Sequence, residues 1–265
     1  MKRWLVLLSG VVSYVLFLAT FVYLAGFVAG FLTPTRLDGP LTVPLIQALA
    51  VDALLILVFG LQHSVMARPG FKKWITRSVP QPTERTIYVL ASNAAMGLLF
   101  WQWQPLGGIV WNVQSTAGLA VAWTLFAIGW LAVLATTFLI NHFDLFGLRQ
   151  VWLYFRGRPC EPLRFVTPGP YRHIRHPLYM GWMIAFWATP TMTLAHLVFA
   201  IGMTSYMLIA IVFEERDLMR AHADYATYRA EVPMLIPNFC ELRKSQGAGE
   251  QRRVVGTVAT AAAGD

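Results

Sequence analysis

Three stretches of this chain hold no charged residue between their ends: Trp4 to Arg36, Arg85 to Asp144 and Pro177 to Glu214. A helix that crosses a bilayer needs about 20 apolar residues, so the second stretch has room for two. Gly39 to Val65 is a further candidate, interrupted only by Asp52, which reads as a packing or polar-network residue. Composition agrees, because 57% of the 265 residues are hydrophobic and 13% are charged, outside the range of an ordinary soluble domain. Met1-Lys2-Arg3 resembles the start of a signal peptide, but the apolar run behind it is too long and leads to no clear cleavage site. It is read as a retained first helix.

The net charge of +8 raises the question of nucleic acid, and its distribution answers it. All Lys and Arg except Arg36 fall at the N-terminus, in Arg68 to Arg85, in Arg149 to Arg175, or from Arg216 onward. Alternating helices put those segments on one side, as the positive-inside rule requires. The charge therefore sets topology first and contact with anionic membrane lipid second; no nucleic-acid partner is expected. The N-terminus, the basic loops and any site among them are expected in the cytoplasm of a bacterial inner membrane.

Helices are expected from about Trp4 to Leu32, from Pro44 to Ser64, from Thr86 to Gln104 and from Thr116 to Ile140. The last apolar stretch divides at Thr189-Pro190-Thr191. Its first part, Pro177 to Pro190, would be only about 21 Å long as a helix, short for a core of about 30 Å. Its second part, Met192 to Phe213, is long enough. The pattern predicts an all-α, polytopic membrane helix bundle. It has five spanning helices, of which the last two form a hairpin with a short, deep first arm, and Pro177 lies in that arm's first turn. Residues 1–243 read as one membrane domain, with its cofactor-binding part at about 141–237. Residues 244–265, rich in Ser, Gln, Gly and Ala, read as a disordered tail. Cys160 and Cys240 match no metal spacing, nor do His173, His196 and His222, and no metal is assigned. The Trp101 and Trp103 pair reads as an interfacial belt.

Chemistry concentrates where the hairpin begins. Tyr171, Arg172, Arg175 and His176 precede Pro177, and Tyr179 and Gly181 fall in the first turn and a half of the helix. Free N–H groups at a helix start attract carboxylates and phosphates, and arginine adds a permanently charged fork. Gly181 would permit close approach of a ligand or a neighbouring helix. The other end of the hairpin returns Glu214 and Glu215 to the same face, where they could hold an amino group, a ribose hydroxyl or an arginine. A ligand with an amino acid end, a ribose and a sulfonium suits this mixture, and S-adenosylmethionine has all three. The plain alternatives are membrane anchoring for the arginines and a helix-end ion pair for the glutamates.

Arg175-His176-Pro177-x-Tyr179-x-Gly181, followed after the hairpin by Glu214-Glu215 and Tyr225-x-x-Tyr228, resembles the integral-membrane methyltransferase superfamily that includes isoprenylcysteine carboxyl methyltransferases and phospholipid methyltransferases. The resemblance implies that the Arg-His-Pro segment and the paired Glu line a cytosol-facing S-adenosylmethionine pocket. It carries cofactor binding onto His176, Tyr179, Glu214 and their matching neighbours. A closer resemblance covers nearly the whole chain. Gln62-His63-Ser64-Val65-Met66-Ala67-Arg68, Phe100-Trp101-Gln102-Trp103-Gln104-Pro105, Asn141-His142-Phe143-Asp144-Leu145-Phe146-Gly147 and Phe186-Trp187-Ala188-Thr189-Pro190 are similar to bacterial methanethiol S-methyltransferases. That resemblance implies S-adenosylmethionine-dependent methylation of methanethiol to dimethyl sulfide.

A thiol attacks as its thiolate, and an alkyl thiol is a weaker acid than cysteine, so a base would help, typically by about 10²–10⁴-fold. His142 and Asp144 after the fourth helix, and His63 at the end of the second, are the base and orienting candidates. Phe143, Phe146 and Trp187 could form a narrow apolar pocket for the small thiol. The plain alternative for His63 and His142 is a hydrogen-bonded residue at a helix interface. Other acceptors, a lipid or a larger thiol, stay open. So does a different class, a haem-binding membrane protein or isomerase with His63 and His142 as axial ligands, to which the chain bears a more distant resemblance. A transporter fits least, since no repeat is visible.

Overall fold

The structure, a computed structural model, describes residues 2–161, 163 and 165–237. The expected tail at 244–265 and Cys240 lie outside the described residues. Among them, four helices are long and apolar enough to cross a membrane: α1 (Lys2–Ala29), α2 (Leu45–Ala67), α5 (Thr116–Ile140) and α9 (Leu194–Ala221). A shorter helix, α4 (Glu84–Gln102), packs between α1 and α2. Short helices α3 (Pro69–Ile75), α6 (His142–Leu145), α7 (Leu148–Phe155) and α10 (Tyr225–Glu231) lie at the end of the bundle that carries the basic loops. The remaining elements are α8 (Pro177–Trp187), two short 3-10 helices (Gln81–Thr83 and Gly169–Arg172) and two strands, β1 (Ile109–Asn112) and β2 (Thr191–Thr193), which pair antiparallel. The fold is mostly helical, as the sequence implies.

Helix ends follow local chemistry rather than apolarity. α1 stops at Ala29, short of the expected Leu32, because Gly30 adopts φ +76°. The Phe31 N–H then bonds back to the Gly26 carbonyl at 3.2 Å, a Schellman closure that ends the helix while the sequence is still apolar. α5 ends at Asn141, which takes φ 97° and uses its side chain to accept from the Asp144 N–H at 3.1 Å. One residue thus closes α5 and starts α6. Asparagine tolerates that left-handed conformation better than most side chains.

α8 has 11 residues and is about 16 Å long. The helix stops earlier than its apolar run because Pro190 disfavours helix at Thr189. The chain continues extended into β2, whose partner β1 lies beyond the end of α4, opposite the basic loops. α8 and this extended continuation therefore cover the full height of the bundle, although the helix alone does not. Backbone groups freed inside an apolar bundle need protein partners. They have them: His196 Nε2 bonds the Phe186 carbonyl at 2.9 Å, and the Val113 N–H bonds the Pro190 carbonyl at 2.9 Å. Asp38 accepts from Thr193 and faces the His196 ring, so the same end is stitched by side chains as well. Asp52, fully buried in α2, accepts from the Gln104 N–H at 2.9 Å, the polar-network role read from the sequence.

α8 lies flat against α5. A Cβ on Gly129 would come within 2.5 Å of the Ala185 nitrogen, and one on Gly181 within 3.0 Å of the Val133 nitrogen. These two glycines let the backbones touch, so Gly181 meets a neighbouring helix. Phe27, Leu99, Phe186 and Phe199 complete the core behind them. Gly129→Val should lower the unfolding free energy by about 3 kcal/mol, since no flexible side chain can yield. Gly97→Ala, at an open position on α4, should change it little. Thermal unfolding in detergent checks both.

Candidate active site

Two polar centres face each other across the basic end of the bundle. The first is built on Glu215, whose side chain is only 6% exposed. Its Oε1 accepts from Arg175 Nε at 2.7 Å and meets His176 Nε2 at 3.1 Å, while Oε2 meets Arg229 Nε at 3.0 Å. Arg175 also donates to the carbonyls of Arg229 and Val232. The backbone N–H groups of Arg175 and His176 pair with the carbonyls of Pro233 and Met234 at 2.9 and 3.1 Å. The segment after α10 is thereby strapped across the start of α8. Tyr228 donates to the Tyr171 carbonyl at 2.6 Å, and burial pushes the Tyr228 hydroxyl up to about 12, so it stays a donor at any ordinary pH. Burial, with the nearby Glu214 charge second, likewise raises Tyr171.

The sequence-expected residues Arg175, His176 and Glu215 are therefore brought together, but their charges are committed to one another. Glu214 differs. Its Oε2 accepts from the Tyr179 hydroxyl at 2.8 Å, and among the described residues no partner is recorded for Oε1. Arg172 is exposed on the turn before α8, at the rim. Pro177 opens α8 in its first turn, as expected.

The second centre is a cavity of about 270 Å³ between α1, α2, α4, α5, α8 and α9, near the lower end of the 300–1,000 Å³ common for small-molecule pockets. Its walls are apolar: Phe17, Phe21, Trp182, Phe186 and the thioethers of Met96, Met203 and Met207. Its polar lining includes Arg85, Tyr88, Ser92, Asn93, His63, Tyr179 and Tyr206, with the hydroxyls of Thr20 and Thr137. Tyr179 joins the two centres, since it lines the cavity while holding Glu214.

His63 lines this cavity, with Nε2 2.6 Å from the Tyr88 hydroxyl and Nδ1 3.1 Å from Ser92 Oγ. Phe146 also lines it and stacks on Phe17 with centroids 3.6 Å apart. His142, Asp144, Phe143 and Trp187 are not among its lining residues. His142 is wedged between Tyr14 and Thr137, each 2.8 Å from a ring nitrogen, and stacks flat on Phe138. Burial lowers its pKa. Asp144 pairs with Arg149 at 2.7 Å rather than with His142. Phe143 is half exposed, and Trp187 donates to Thr204 on an exposed face of α8. The Asn141-to-Gln150 block thus holds a chain reversal together. Sequence reasoning missed Tyr88, Ser92, Asn93 and Tyr206. Their signal was a Tyr88-x-x-x-Ser92-Asn93 polar face inside an otherwise uncharged apolar stretch.

Comparison with known proteins adds the family. A family model described as NnrU protein matches residues 53–263. The chain is 52% identical over 238 residues to the methanethiol S-methyltransferase of Crocosphaera subtropica, covering 89% of this chain and 93% of that one. It is 50% identical over 238 residues to the methanethiol S-methyltransferase of Mycobacterium tuberculosis, covering 89% and 98%. Nurim of Mus musculus is 28% identical over 183 residues, covering 66% and 69%.

Two outcomes follow from the geometry. Glu215→Ala, which strands two buried or half-buried arginines, should cost about 3–5 kcal/mol of stability, whereas Glu214→Gln, which keeps an acceptor for Tyr179, should cost less than about 1 kcal/mol; equilibrium unfolding in detergent separates them. His142, with its folded pKa lowered, contributes stability present above its unfolded value of about 6.5 and lost as pH falls below it. Wild-type protein should therefore lose more stability between about pH 7 and about pH 5 than His142→Phe does, read as the change in Tm.

Proposed function

We infer the function from the family: this chain belongs to the NnrU protein family, among the methanethiol S-methyltransferases. It is an enzyme that transfers a methyl group to methanethiol, giving dimethyl sulfide. The observation that best supports this reading is the apolar cavity whose polar wall reaches Glu214 through Tyr179. A small apolar thiol and a polar methyl donor can meet there.

The donor proposed is S-adenosylmethionine, which supplies a methyl group carried on a positively charged sulfur. The residues fit it. Glu214 keeps one carboxylate oxygen for an amino group or a ribose hydroxyl. Arg172 and Arg85 offer guanidinium groups for a carboxylate, at the rim and at the cavity wall. The aromatic faces of Phe17 and Trp182 suit a sulfonium. Arg175, His176 and Glu215, with Tyr171, Pro177 and Gly181, then serve the cofactor pocket by fixing the start of α8 so that Tyr179 is held in place. For the thiol, Phe146 and the methionine thioethers form an apolar wall that excludes water, and His63 is the base candidate that faces the cavity. Holding the reactants aligned and dry supplies most of the acceleration such a site can give. His142 and Asp144 act at one remove, by anchoring Phe146; Phe143 and Trp187 belong to the surface around it. No observation favours the haem reading: both nitrogens of His63 and of His142 already have partners.

The orientation proposed puts the basic end in the cytoplasm of a bacterial inner membrane, in accord with the positive-inside rule. Five helices then cross: α1, α2, α4, α5 and α9, with α4 about 28 Å long. α8 and its extended continuation complete a further passage, forming a hairpin with α9. Residues 1–243 act as one membrane domain, with the cofactor part at about 141–237.

The test is dimethyl sulfide in the headspace over detergent-purified protein supplied with S-adenosylmethionine and methanethiol. Product is expected from wild type. Glu214→Ala should weaken donor binding by roughly 10–100-fold, the loss of about 1.5–3 kcal/mol for a charged hydrogen bond. Donor binding without product would discard the acceptor and keep the class; neither binding nor product would sink the reading.

A further inference from the structure

Tyr88, His63 and Ser92 on the cavity wall, with Gln62 behind them, form one chain whose hydrogens can be assigned by counting. Ser92 has a single hydroxyl proton, and it bonds the Tyr88 carbonyl at 2.9 Å, the usual back-bond of a helical serine. Its oxygen then accepts, from Gln62 Nε2 at 3.4 Å and from His63 Nδ1 at 3.1 Å. The imidazole proton is therefore assigned to Nδ1. Nε2 is left as an acceptor, and the Tyr88 hydroxyl at 2.6 Å must donate to it. Having donated, the Tyr88 oxygen keeps lone pairs on a residue that lines the cavity. The His63 ring offers no comparable opening, because both nitrogens are engaged and Phe59 stacks on its face at 5.3 Å.

We propose that Tyr88 is the catalytic group that receives the thiol proton, handing its own to His63, and that Ser92 is a positioning residue that fixes the His63 tautomer. The proposal rests on the methyl-transfer reading above and goes beyond it by placing an intermediary between thiol and base. The sulfur–hydrogen bond breaks and its electron pair stays on the thiol sulfur, which forms the new sulfur–methyl bond. The thiol proton passes to Tyr88 Oη as the tyrosine proton passes to His63 Nε2, leaving an imidazolium that donates to Ser92. The pair from the broken donor bond stays on the sulfur of the sulfonium donor, and the imidazolium proton returns to water after turnover. The charges that act on Tyr88 are Arg85 and Glu84 on its own helix and Glu214 on α9, and the Tyr206 and Tyr179 hydroxyls share the wall. The Arg85 guanidinium lies 5.5 Å from the centre of the Tyr88 ring, where it favours negative charge developing on the tyrosine oxygen.

The experiment compares wild type, Tyr88→Phe and Ser92→Ala in three measurements: donor binding, turnover of two thiols, and nitrogen NMR of histidine-labelled protein. With methanethiol, Tyr88→Phe should lose about 10²–10⁴-fold in kcat with donor affinity unchanged. Its rate should climb with pH where that of wild type is flat. With trifluoroethanethiol, a more acidic thiol that needs less help in losing its proton, the loss should shrink at least tenfold. NMR should show His63 protonated on Nδ1 in wild type and a mixture of tautomers in Ser92→Ala. Equal losses with both thiols, loss of donor binding in Tyr88→Phe, or a wild-type His63 protonated on Nε2 would each overturn the relay. Absence of product from wild type would instead overturn the parent reading, and the relay with it.

Discussion

Everything at the site depends on a helix that stops halfway through an apolar bundle. A backbone that leaves helical geometry inside a bilayer must find its hydrogen-bond partners in the protein. α8 does so by lying against α5 at Gly129 and Gly181, by receiving His196 at the Phe186 carbonyl, and by continuing as a strand paired to β1. Those contacts fix the height of α8, and that height puts Tyr179 where the cavity meets the charged cluster. A full-length helix would need none of this support, but it would carry Tyr179 no more firmly than any other residue on a sliding rod.

The charged cluster itself shows how similar residues divide their labour. Glu214 and Glu215 are adjacent, yet one faces two arginines, a histidine and a strap of backbone, and the other faces a single hydroxyl at the cavity. Neutralised charge holds the frame, and the uncommitted oxygen beside it is available to a ligand. The same division separates the histidines. His142, with both nitrogens bound to residues of α1 and α5, secures a chain reversal; His63 lines the cavity and bonds Tyr88 and Ser92 there.

Much of this was legible in the sequence, and the reasons for the rest are physical. Uncharged length and the placement of Lys and Arg announce a helical membrane bundle, since those quantities are set by the solvent rather than by neighbours. Pro177 and the division at Pro190 mark the two limits of α8, because proline acts on its own backbone and on the residue before it. Gly30 ends α1 against the apolar pattern, which only a reading of backbone chemistry catches. Roles of polar residues are harder to read. His142 meets Tyr14 across 128 positions of sequence, and Asp144 meets Arg149 instead of the imidazole two residues away. Adjacency in sequence suggested a His142–Asp144 pair, whereas in space each bonds a different partner. Tyr88 and Ser92 were visible as a polar pair one helical turn apart, but their partner, His63, sits on another helix.

The pairing of β1 with β2, reinforced by Asp38, Thr193 and Asn112, stitches three connections together at one end: α1 to α2, α4 to α5, and α8 to α9. At the opposite end α1 and α5 are joined through side chains alone, by His142 bonding Tyr14 and Thr137. The end of the bundle away from the basic loops is thus closed by backbone ladder and side-chain bonds between segments far apart in sequence, rather than by apolar packing alone.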